Sequence, residues 1–161
     1  MTLKLAIICK KQRFSARLQR IGALLFEGFD CPEGPYHCGW YDPAEDCFYD
    51  MNVRFRKAPF GHYATRDIYY FEPPKPMPVE FVASEVGKHF YGILDVLFFP
   101  VLKILKWVNL PGDHCAEILN DQMRDLHGDV TPWRFYESPP SPCAMLKWAA
   151  ANLQPWEKRK E

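Results

Sequence analysis

Apolar residues recur along the chain with two different periods. Residues 3–9 (LKLAIIC) are almost continuously apolar, which predicts a short buried strand. Over residues 14–29 the spacing becomes helical. Leu18, Ile21, Leu24 and Leu25 fall on one side, Arg17, Arg20 and Glu27 on the other, and Ser15 can cap the start. Residues 30–35 (DCPEGP) are dense in turn formers and read as a loop. Residues 36–41 (YHCGWY) and 47–55 (CFYDMNVRF) are aromatic and branched, and they flank the turn residues 42–46, so they predict a β-hairpin. Residues 67–72 (DIYYFE) predict a third strand, and Pro73, Pro74, Pro76 and Pro78 an extended connector.

The second half of the chain reads as helical. A helix is expected to begin over residues 79–86. Residues 90–110 are the most apolar stretch, but Asp95, Pro100, Lys103 and Lys106 interrupt it. A membrane span wants about 20 largely uncharged residues, so the expectation is a buried helical pair broken at Pro100. An interfacial membrane contact is the competing reading. Asp113 can cap a helix over residues 114–126, with Gly128 as its stop. A last helix is expected over residues 143–153, followed by a frayed charged tail at 154–161. With no repeat and no linker, residues 1–153 are expected to form one α+β domain.

Composition narrows the function classes. The chain has 161 residues, 15 of them Pro, and an aromatic fraction of 16%, which argues against a plain helix bundle. Twenty basic residues balance twenty acidic ones, so the basic excess of a nucleic-acid binder is missing. The apolar run at residues 5–9 precedes Lys10, Lys11 and Arg13, the wrong order for a signal peptide. Synthesis in the cytoplasm, with free thiols, is therefore expected. The six cysteines include no C-x-x-C pair. Cys31, His37, Cys38 and Cys47 cluster in sequence but match no zinc pattern, and His37 and Cys38 point to opposite strand faces. No metal or cofactor is expected.

Cys115 is singled out by its place at a helix start, where unpaired amides and the helix dipole favour a thiolate. It also shares a stripe with Leu119, Gln122 and Leu126, so a packing role is the competing reading. His37 is the one histidine set in an aromatic strand, where a polar residue needs a reason. With a hairpin loop of two or four residues, paired indices sum to 89 and Asp50 falls on the face of His37, one diagonal away. Asp50 could then orient the imidazole as the third member of a triad does. A three-residue loop would put Asp50 on the other face and leave Asp46, in the turn, as the fallback.

These residues in this order resemble a family. A His on a strand (YHCGWY) is followed by an acidic residue (CFYD), then G-x-x-x-Y-G-I-L-D, then C-A-E at a helix start, and S-P-x-x-x-L at residues 141–146. The succession is similar to the circularly permuted NlpC/P60 group of papain-like thiol hydrolases, the YiiX-like and lecithin:retinol acyltransferase-like branch, in which the His strand precedes the Cys helix. The chain departs from it in having Tyr36 before the His, Ala116 after the Cys, and Asp50 as the third polar residue.

The resemblance implies a papain-like fold with a small antiparallel sheet against the nucleophile helix. It implies Cys115 as nucleophile, His37 as general base and Asp50 as its orienting partner. The backbone N–H of Cys115 and the Tyr36 hydroxyl are the oxyanion candidates. The implied activity is hydrolysis of a peptide, isopeptide or lipid acyl bond through an acyl-enzyme. A second class stays open: a non-catalytic structural or interaction module, such as a bacteriophage virion or tail component, with residues 90–110 as a membrane or virion contact.

Overall fold

The computed structural model describes residues 2–10, 14, 17, 20–21, 23–90, 115–133 and 140–157. Strand β1 (Lys4–Cys9) is buried along its whole length. The continuous apolar run of the sequence follows from its position: β2 (Pro35–Asp42) flanks one edge, β5 (Asp67–Phe71) the other, and both faces are covered. With β3 (Cys47–Met51) and β4 (Phe55–Pro59) these strands form an antiparallel sheet in the order β4-β3-β2-β1-β5.

The β2–β3 hairpin turns through four residues, Pro43 to Asp46. Asp42 Oδ1 accepts the Ala44 N–H at 2.9 Å, the Tyr41 hydroxyl donates to Asp46 Oδ1 at 2.7 Å, and Asp46 takes φ 48°, a left-handed conformation that Asp tolerates. The pairs are Asp42↔Cys47, Tyr41↔Phe48, Trp40↔Tyr49 and Gly39↔Asp50, so the indices sum to 89 as a four-residue loop requires. There the β2–β3 ladder ends. His37 and Cys38 pair with Ile8 and Ile7 of β1 instead.

The stretch CFYDMNVRF is not one strand. It divides at residues 52–54, where the Asn52 N–H donates to the Arg54 carbonyl at 3.2 Å and the chain returns as β4. Val53 carries strand propensity but lies at the exposed tip, 73% accessible, so the reversal prevails over local preference.

Two apolar layers enclose the sheet. On one face Leu5, Ile7, Cys38, Trp40, Tyr49 and Met51 meet three helices, α1 (Val79–Ser84), α2 (Cys115–His127) and α3 (Pro142–Asn152). On the other face Ala6, Ile8, Tyr41, Phe48 and Tyr63 pack with Phe60, Tyr70 and Trp156. α2 is tied to β2 by the buried Trp40 indole N–H, which donates to Gln122 Oε1 at 2.7 Å. Gly128, at φ 74°, ends α2 with its N–H on the Arg124 carbonyl. Ser141 caps α3, its Oγ accepting the Ala144 N–H at 3.0 Å, with Pro142 as first helical residue.

Two further expectations are corrected. The apolar side expected of residues 14–29 faces outward: Ile21, Leu24 and Leu25 are exposed, and Ala23–Glu27 is a π-helical turn. Helical spacing tells which residues share a side, not what that side meets. The tail expected to fray from residue 154 is instead bound along β5. The Glu72 N–H donates to the Gln154 carbonyl and the Trp156 N–H to the Tyr70 carbonyl, both at 2.9 Å, and the Trp156 ring packs on Tyr41 and Tyr70. The expectations for Ser15, Leu18, residues 91–110, the Asp113 cap and residues 158–161 fall outside the described residues. Among the described residues no helix is long and apolar enough to cross a membrane.

Candidate active site

β2 holds His37 and Cys38 on opposite faces because side chains alternate along a strand. Gly39 follows, and its cross-strand partner is Asp50. A Cβ on Gly39 would stand 2.8 Å from the Tyr49 carbonyl oxygen and 3.2 Å from Asp50 Cβ. The bare glycine therefore lets β3 close in, and the Asp50 carboxylate reaches past it toward the imidazole. His37 Nε2 lies 3.8 Å from Asp50 Oδ2, an ion-pair separation rather than a hydrogen bond.

Asp50 is fully buried. It is satisfied by Arg56, its partner across the β3–β4 ladder, whose Nε donates to Oδ1 at 3.0 Å, and by the Tyr63 hydroxyl, which donates to Oδ2. Burial pushes the carboxyl pKa up, but His37, Tyr63 and Arg56 outweigh it and hold the group below the ordinary carboxylate value. Arg56 also reaches His62 Nε2 at 3.2 Å, so the network extends from a buried carboxylate to the surface.

Cys115 opens α2 and is 2% exposed. Its charge acts on both His37 and Cys38, raising the pKa of each. Those two residues point to opposite faces, and Cys115 belongs to the helix-side layer together with Cys38. His37 feels opposing effects. Burial pushes its pKa down, whereas Cys115 and Asp50 push it up and prevail, to about 9. The imidazole therefore carries a proton at neutral pH, between a thiol at a helix start and a carboxylate.

The structure thus brings together Cys115, His37 and Asp50. Tyr36 stacks beside His37, with ring centroids 6.3 Å apart. Asp46 stays in the hairpin turn, bonded to Tyr41. Among the described residues no group of three His, Cys, Asp or Glu side chains is arranged to hold a metal ion. Gly39, Arg56 and Tyr63 were not foreseen. Ending the second strand at Met51 would have placed Arg56 opposite Asp50 by register; Tyr63, brought in by the turn Phe60–His62, leaves no such signal. Comparison with known proteins returns no matching family model, no matching curated protein and no matching solved structure.

Proposed function

We propose that the chain is a thiol hydrolase of the permuted papain-like type, with Cys115 as nucleophile, His37 as acid and base, and Asp50 as the residue that positions His37. The observation that carries this reading is the shared environment of the three groups: a buried imidazole 3.8 Å from a buried carboxylate, with the thiol of the first residue of α2 acting on it. The attraction of imidazolium for thiolate is mutual, so a proton kept on His37 favours a charged sulfur at Cys115.

The mechanism that follows is acyl transfer. The Cys115 thiolate adds to the carbonyl carbon of a peptide, isopeptide or ester. The carbonyl oxygen takes the charge and faces the Cys115 backbone N–H at the N-terminal end of α2, where the helix dipole favours an anion. His37 gives its proton to the leaving amine or alcohol as the C–N or C–O bond breaks, and a thioester remains on the sulfur. A water that loses a proton to His37 then attacks the thioester, releasing the acid and restoring the thiolate. With Nε2 turned to Asp50, Nδ1 is the nitrogen left for these transfers.

The test is alkylation with iodoacetamide at about pH 6, where an ordinary thiol is protonated and slow. Cys115 is expected to react well before the other five cysteines, and the preference is expected to vanish in His37→Ala. If Cys115 reacts no faster than Cys9 or Cys143, the proposal fails and a non-catalytic module on this fold is the better reading.

A further inference from the structure

Hydrolysis uses one thiol, but two others share its surroundings. All six cysteines belong to one buried cluster, but it is Cys9 and Cys115 whose charges act on Cys38, and none of these three is more than 2% exposed. Strand register keeps Cys9 and Cys38 apart. Cys38 is opposite Ile7, whereas Cys9 is opposite Pro35. Diagonal neighbours in a sheet stand about 7–8 Å apart, wider than the roughly 4.4–6.8 Å between Cα atoms that a disulfide spans. Cys115 approaches Cys38 differently, from the helix laid over that face. The Trp40–Gln122 hydrogen bond at 2.7 Å pins α2 to β2. Cys38 lies two residues from Trp40 on the same strand face, and Cys115 two turns from Gln122 on the same helix face. After burial itself, Cys115 is the neighbour that acts most strongly on the Cys38 thiol. These thiols do not gather into a metal-holding group among the described residues.

We propose that Cys38 is the resolving cysteine of Cys115: when a peroxide oxidises Cys115, the two sulfurs close a reversible disulfide that holds the site inactive and protected. The Cys115 thiolate attacks one oxygen of hydrogen peroxide, and the O–O bond breaks. The sulfur becomes a sulfenic acid, and the departing hydroxide takes a proton to form water. The Cys38 sulfur then attacks the sulfenic sulfur. The S–S bond forms, the S–O bond breaks, and the hydroxyl leaves as a second water with the Cys38 proton. In sum, two thiols and one peroxide give one disulfide and two waters.

The surroundings divide the labour between the two thiols. Burial and the neighbouring Cys115 keep the Cys38 thiol protonated, so it does not compete as the first target. Once Cys115 is a neutral sulfenic acid, the negative charge opposing Cys38 ionisation is gone. This inference rests on the thiolate proposed for Cys115, not on the hydrolysis of any substrate.

The experiment uses the reduced full chain with one equivalent of hydrogen peroxide. Remaining thiols are then blocked in denaturant and the peptides are mapped by mass spectrometry. The expected product is a Cys38–Cys115 linked peptide, lighter by about 2 Da than the two thiol peptides together and reversed by dithiothreitol. It should form equally in Cys9→Ser. In Cys38→Ala, Cys115 should instead accumulate as a sulfenic acid trapped by dimedone. A link between any other pair, or a sulfinic Cys115 beside a free Cys38 in the native chain, overturns the inference. Should Cys38→Ala fail to fold, the native-chain peptides decide. Selective alkylation of Cys115 without the Cys38 link would remove this inference and leave the hydrolase reading. The link without selective alkylation would do the reverse.

Discussion

At the scale of single residues, Asp50 is the hub. Its charge is shared by His37, Arg56 and Tyr63, and each contact holds the carboxylate ionised while it is cut off from water. Asp50→Asn keeps the shape and removes the charge, so His37 loses an attractor and gives up its proton more readily. Alkylation of Cys115 at about pH 6 should slow, by up to roughly tenfold for each unit by which the imidazole pKa falls from about 9. A pH series of alkylation rates checks this. Gly39→Ala acts through backbone. Its Cβ would meet the Tyr49 carbonyl oxygen at 2.8 Å, which cannot rotate away as a side chain can, so β3 must shift. The expected cost is about 1–3 kcal/mol, as for other overpacked sites, read as a lower urea midpoint. Because the shift also draws Asp50 away from His37, the selective alkylation of Cys115 should weaken in the same variant.

At the scale of elements, the hairpin was the most legible part of the chain. A turn of two or four residues puts Asp50 on the His37 face and a turn of three does not, because register follows from loop length; the turn has four. The end of β3 was not legible. Met51, Asn52 and Val53 continue an aromatic and branched run, and only the return of β4 shows the break. Arg56 was lost with it. Residues 21–25 failed for another reason: spacing grouped Ile21, Leu24 and Leu25 correctly, but burial depends on what lies beside them. The placement of α2 depends on two polar groups that pattern reading treats as exceptions to a core. Trp40 and Gln122 bond each other in the dark. Gln122→Leu should leave the indole N–H without an acceptor and cost about 1–3 kcal/mol in a denaturant titration. Ser141→Ala, which removes the α3 cap, should cost about 1 kcal/mol by the same measurement.

At the scale of the whole molecule, the paired charges make stability depend on pH in both directions. The folded state holds the His37 proton more tightly than the unfolded chain does, with a pKa of about 9 against 6.5. That contribution is fully present below about 6.5 and is lost as pH rises through about 9. Asp50 behaves oppositely: its folded pKa lies below 3.8, so its contribution is present above that value and is lost on acidification. Urea midpoints measured across pH should therefore show the joint contribution at its largest between about 4 and 6.5. His37→Ala should flatten the alkaline side. One consequence comes from the end of the β2–β3 ladder at Gly39. Five successive residues of β2 have five different surroundings: His37 beside the carboxylate, Cys38 under the helix, Gly39 against Asp50, Trp40 on Gln122 and Tyr41 in the second layer. A slip of one position would exchange every one of these for its neighbour. Catalytic competence and strand alignment are then a single event, and under the hydrolase reading the number of active sites titrated in a preparation counts its fully aligned molecules.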